Sequence, residues 1–105
     1  MTAATVSVHK DGDEVHIAVA GELDLANAGL VEDEIVAAID NTATNVVVDL
    51  TDLLYMDSSG LRILFTLSGR LEVLQIEMSV VAPHGSPTRR VIEMSGFDSL
   101  VELRP

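Results

Sequence analysis

Asp57, Ser58, Ser59 and Gly60, inside the stretch YMDSSGL, are the residues of this chain whose types and spacing can do chemistry. A serine hydroxyl becomes a nucleophile when a base takes its proton, and a phosphate acceptor when a kinase visits. The same groups also suit a helix start, where an Asp or Ser oxygen accepts a backbone N–H that has no partner inside the helix. Three readings therefore compete: nucleophile, phosphorylation site and plain cap.

The nucleophile reading lacks companions. A serine exposed at a strand-to-helix turn in hydrolases sits in G-x-S-x-G, whereas Met56 and Asp57 precede Ser58. The histidines are poorly placed as bases. His9 and His16 lie in or beside the first strands, and His84 lies in the loop before Ser86. All three read as surface or edge residues, so no catalytic residue is expected. The chain has no G-x-x-x-x-G-K-[ST] loop for nucleotide phosphates. With no cysteine and no clustered ligands, neither metal nor cofactor is expected.

The stretch must be held by the elements around it. Val6 and Val8 alternate weakly before KDGDE, whose Asp-Gly pair suits a tight hairpin turn. Val15, Ile17 and Val19 alternate with His16 and Ala18, as in a strand with one buried face. GELDLANAGLVEDEIVAAIDN then changes period: Ala28, Val31, Ile35, Ala38 and Ile39 share one helical face, with Asp24 placed to cap it. VVVDL opens with three β-branched residues, the pattern of a strand covered on both faces. Beyond DSSG, Leu61 and then Ile63, Leu64, Leu67 and Leu71 mark the buried stripe of a second helix, leaving Arg62, Thr66 and Arg70 to solvent. MSVVAP is a further strand, Ser86-Pro87 starts a third helix, Gly96 ends it, and Leu100 to Leu103 supply a last strand. The order β-β-α-β-α-β-α-β predicts an α/β fold, with a mixed, mostly parallel sheet of about five strands packed against helices.

In that fold Asp57 takes the N-cap of the second helix, and Ser58 begins its first turn after a parallel strand, where open α/β sheets tend to place their sites. A phosphate on Ser58 would sit at the positive end of the helix dipole, worth about 0.3–1 kcal/mol at the surface. Gly60 is expected to leave room for a close approach. A well-made cap and nothing more remains the bland alternative.

Composition narrows the partners. The 105 residues predict one domain, 1–105, with a core of Val, Leu, Ile and Ala, since there are only two Phe, one Tyr and no Trp. A net charge of -11 argues against nucleic acid and anionic membrane, and leaves a protein or small-molecule partner. No run approaches the roughly 20 apolar residues of a membrane span. The opening MTAATVSVHKDGDEVH lacks a basic block followed by an apolar one, so no signal peptide is expected. Together with the missing cysteines this fits a cytoplasmic protein.

GELD (Gly21 to Asp24), VVVDLTDLLYMDSSGL (Val46 to Leu61) and RRVIEMSGF (Arg89 to Phe97) are similar, in order and spacing, to the anti-sigma factor antagonists, the bacterial branch of the STAS domains. The resemblance covers almost the whole chain. It implies a small α/β STAS domain that binds an anti-sigma factor with a serine-kinase fold and so frees a sigma factor. It implies phosphorylation of Ser58 by that kinase, release of the modified antagonist, and a separate phosphatase that removes the phosphate. Asp24, Asp57, Ser59 and Gly60 would form the docking surface, none of them catalytic, with Arg62 placed to touch the partner or to neutralise part of a phosphate. Two departures stand out. Arg62 occupies a position where many relatives have a small residue, and LQIE (Leu74 to Glu77) replaces the usual glycine pair before the next strand. A constitutive STAS module, with the serine only a cap and a sensory protein, transporter or small ligand as partner, is the alternative. A monomer or weak dimer fits so acidic a small domain.

Overall fold

The computed structural model describes residues 3–105. Strands β1 (Ala4–Asp11) and β2 (Glu14–Leu23) form an antiparallel hairpin in which Ala4 faces Gly21 and Asp11 faces Glu14. The Asp-Gly turn forms as its sequence predicts, with Gly12 at φ 64°. Helix α1 (Ala28–Ala38) leads to β3 (Asn45–Asp49), followed by β4 (Leu53–Met56) and helix α2 (Ser58–Val73). Then come β5 (Glu77–Val81), α3 (Pro87–Ser95), a 3-10 turn (Phe97–Ser99) and β6 (Glu102–Arg104). The sheet order is β1-β2-β3-β5-β6, parallel from β2 onward, and β4 pairs with β2 in parallel.

The sheet has six strands, where the sequence predicts about five. The addition is β4. The Asp49 side chain accepts the backbone N–H of Thr51 at 2.9 Å, which ends β3 in a turn. The chain re-enters the sheet at Leu53, opposite Gly21, so β3 and β4 pair in succession with the two halves of β2. Within the β2–β4 pairing the register shifts between Gly21 and Glu22. Gly21 has φ 97°, and a side chain there would overlap the carbonyl of Ala3, just before β1. The first residue of GELD is thus fixed by backbone crowding.

Helices pack on one face of the sheet. Val15, Ile17, Val19, Val46, Val48 and Val80 join Ala28, Val31, Ile35, Ile63, Leu64, Leu67, Leu71 and Ile92 in one buried cluster. The expectation that VVVDL is buried on both faces holds for its three valines, with Val46 and Val48 inside this cluster. Val47 is only 2% exposed, yet it lies on the opposite face, outside the cluster, with His16 and Ser79 as its cross-strand neighbours. At the end of α1, Asp40 accepts the Thr42 hydroxyl at 2.7 Å and the Thr42 N–H at 2.9 Å, and pairs with Lys10 at 3.1 Å. These bonds, the Thr42 hydroxyl first, hold its carboxyl down to about 2.

Candidate functional site

Two distant motifs meet where β2 and β4 end side by side. Leu23 lies opposite Met56, and the Asp57 N–H donates to the Leu23 carbonyl at 3.2 Å. GELD and MDSSG are therefore joined backbone to backbone, and the chain leaves this junction in two directions, toward α1 and into α2.

At the start of α2, Asp57 is the N-cap. Its backbone is extended (φ -97°, ψ -167°), and its carboxylate accepts the Ser59 N–H at 2.8 Å. The Asp57 carbonyl accepts the Leu61 N–H at 3.2 Å, the first turn of the helix. Ser58 is the first helical residue. It is exposed, and its hydroxyl makes no hydrogen bond with any described residue. The cap is made by its neighbour, so the serine oxygen is left free. Ser59 and Asp57 are half-buried beside it.

Gly60 requires a correction. It was expected to open space toward a visitor, but it is buried. A side chain there would overlap Met56 and come within 2.9 Å of Leu23. The glycine lets α2 press down on the junction of β2 and β4, and so acts inward.

Asp24 also differs from expectation. Helix α1 begins at Ala28 with Asn27 as N-cap, and no side chain caps it. Asp24 instead builds the turn before it. Its Oδ1 accepts the Ala26 N–H at 2.9 Å, and its carbonyl accepts the Ala28 N–H at 2.9 Å. Asn27 answers by accepting the Asp24 N–H at 3.0 Å and donating to the Glu22 carbonyl at 2.8 Å. Both residues are cap-formers by type, and the chain uses them as a reciprocal brace in the turn before the helix, which starts about one turn later than a cap at Asp24 predicts. The brace fixes Asp24, half-buried, one residue beyond the Leu23 carbonyl that holds Asp57.

Around these polar groups lie exposed apolar residues to which the sequence analysis gave no role. Leu25 is 80% exposed, Leu54 73% and Tyr55 49%. In β4 only Leu53 and Met56 turn inward, a two-in, two-out pattern too short for periodicity to reveal. Beside them a shallow groove of about 220 Å³ runs between the starts of α1 and α2, lined by Leu25, Ala28, Gly29, Glu32, Ser59, Arg62 and Ile63. Arg62 is exposed at its rim. A more enclosed hollow of about 330 Å³ lies elsewhere, between the C-terminal ends of α1 and α2, with Ile39, Arg70 and Leu74 among its walls. The serine thus stands among exposed apolar and acidic residues beside a shallow groove, an arrangement that fits contact with a macromolecule better than capture of a small ligand. Among the described residues no group of three His, Asp or Glu could hold a metal, and no helix is long and apolar enough to cross a membrane.

The model of the STAS domain family matches residues 5–105, and the chain belongs to that family. It is 32% identical over 99 residues to the anti-sigma-F factor antagonist RsfB of Mycobacterium tuberculosis, covering 94% of this chain and 80% of that one. The crystal structure of an anti-sigma factor antagonist from Mycobacterium paratuberculosis superposes with a TM-score of 0.88 at 29% identity, covering 98% of this chain and 86% of that one. The Bacillus cell fate determinant SpoIIAA in its phosphorylated form superposes with a TM-score of 0.72 at 25% identity, over 96% and 92% of the two chains.

Proposed function

We propose that this chain is a cytoplasmic anti-sigma factor antagonist, a binding module and not an enzyme, whose grip on its partner is switched by phosphorylation of Ser58. The partner is an anti-sigma factor with a serine-kinase fold, and it docks on the surface formed by Asp24, Leu25, Leu54, Tyr55, Asp57, Ser59 and Arg62. Binding there frees a sigma factor. The kinase then transfers the γ-phosphoryl group of ATP to the Ser58 oxygen; ADP leaves, and the hydroxyl proton passes to a base of the kinase. A phosphatase reverses the modification. The observation that carries this reading is a serine hydroxyl that is exposed and unbonded at the first position of α2, because Asp57 does the capping. The relatives named anti-sigma factor antagonists and the phosphorylated neighbour support it.

The switch follows from charge. A phosphoserine adds about -1.5 to -2 charges and three acceptor oxygens. With a negative group of the partner or its nucleotide about 6 Å away, each unit of charge pair costs on the order of 3 kcal/mol at an effective dielectric near 20. A net loss of roughly 2–3 kcal/mol weakens binding about 30- to 150-fold. The helix dipole steadies the phosphate in the free protein and leaves most of that cost in place. No refolding is needed.

The test is incubation with the cognate kinase and ATP, read by intact-mass spectrometry. One phosphate is expected on the wild type and none on Ser58→Ala; equal labelling of the two refutes the site. Ser58→Asp should bind the anti-sigma factor more weakly than wild type. Equal Kd values in calorimetry would leave Ser58 as a simple surface serine and return the protein to a constitutive binding role.

A further inference from the structure

Arg62 lies four residues beyond Ser58, on the same side of α2. It is exposed, and unlike Lys10, Arg89 and Arg104 it forms no ion pair with any described residue. Residues four apart on a helix have Cβ atoms about 5–6 Å from each other. Helical side chains also lean toward the N-terminus, so a long side chain at position 62 covers the turn that carries Ser58. An acid placed four residues before a base is the favoured order of such a pair.

We propose that Arg62 is a positioning residue for the modified state, holding the phosphate of phosphoserine 58 through paired guanidinium hydrogen bonds. This rests on the reading of Ser58 as the phosphoacceptor and adds a part that the motif itself does not contain. The planar fork of arginine matches two phosphate oxygens, which a lysine cannot reproduce. The other charges at this corner are acidic: Asp57 beside the serine, Asp24 from the turn before α1, and Glu32 of α1, which lines the groove with Arg62 yet is not paired with it. Arg62 is therefore the cation placed to offset them when a dianion arrives. Phosphorylation then changes the docking face twice. It adds negative charge at Ser58, and it draws Arg62 away from the groove between α1 and α2.

The test uses the full chain with phosphoserine placed at position 58 by genetic-code expansion, so that it does not depend on which kinase acts. Phosphorus NMR titration gives the second ionisation of the phosphate. A nearby cation favours the dianion, so removing it raises the pKa. Arg62→Ala is expected to titrate about 0.5 pH unit higher than wild type, with Arg62→Lys between them. Arg70→Ala, at the far end of α2, serves as the control for overall charge and should match wild type. The difference should shrink at about 1 M salt, where the screening length is about 3 Å. Equal titration curves for wild type and Arg62→Ala, or an equal shift in Arg70→Ala, overturn the proposal. Failure of the functional reading appears elsewhere: a kinase that still labels Ser58→Ala refutes the acceptor while the titration decides the clamp.

Discussion

Two serines open two helices in this chain, and the structure uses them in opposite ways. Ser86 is the N-cap of α3: half-buried, its hydroxyl accepts the Arg89 N–H at 3.2 Å and lies 3.3 Å from the Thr88 hydroxyl, with Pro87 following at the first helical position. Arg89 then donates to the carbonyls of Ala82, at 2.7 Å, and Arg104, at 3.3 Å, tying the cap to the ends of β5 and β6. Ser58 sits one position later in its helix, and Asp57 makes the corresponding bond to Ser59. A serine that caps is committed to the fold, whereas one that follows a capping aspartate keeps an oxygen free for chemistry. The order Asp-Ser at a helix start therefore leaves the capping to the aspartate and the serine oxygen unused by the fold.

The junction beneath Ser58 gives the largest expected effect. Gly60→Val places side-chain atoms where Met56 and Leu23 already pack, and overpacking of this kind costs about 1–3 kcal/mol. Urea unfolding should show the loss, and kinase labelling of Ser58 should fall with it as the start of α2 shifts. Gly69 in the same helix is the internal comparison, since a side chain there meets nothing within 4 Å. Gly69→Ala should stabilise by up to about 1 kcal/mol. If both glycine variants behave alike, the close packing of α2 on β4 is wrong.

Next come the caps themselves. Asp57→Ala and Ser86→Ala each remove a side-chain acceptor from a helix start and should each cost about 1 kcal/mol. Only Asp57→Ala should also slow phosphorylation, because it loosens the turn presenting Ser58. A stability loss in one cap variant and none in the other would break the equivalence of the two helix starts.

How far the sequence reveals this arrangement depends on whether a residue's role is local or tertiary. The caps at Asp57 and Ser86, the Pro87 start and the buried stripe of Ile63, Leu64, Leu67 and Leu71 are local, and all appear where spacing places them. Gly60 points inward only because Met56 and Leu23 come together there from two strands, which no pattern around position 60 records. Asp24 and Asn27 present the same difficulty. Either can cap a helix, and the choice is made by the Glu22 carbonyl reaching back to Asn27. Strand β4 was missed because LLYM follows β3 closely and its inward residues are not alternate. Its outward residues, Leu54 and Tyr55, are exposed apolar side chains that patterning over four residues does not reveal. A resemblance to known antagonists supplied the role of Ser58, which geometry alone leaves shared between a modification site and a plain surface residue.

The smallest effect is the most discriminating. Ser58→Ala removes a hydroxyl that bonds to no described residue, from an exposed first helical position that already has its cap, so its stability should change by less than about 0.5 kcal/mol. Ser86→Ala, the same chemical change at the other helix, should cost about twice that or more. Thermal unfolding of the two variants side by side measures the difference directly. A marked loss for Ser58→Ala would mean that its oxygen is engaged in the folded state, and a hydroxyl so engaged would have to be released before any kinase could use it. Near-zero cost at Ser58 together with complete loss of labelling would assign the serine to regulation alone, with the aspartate before it responsible for the helix.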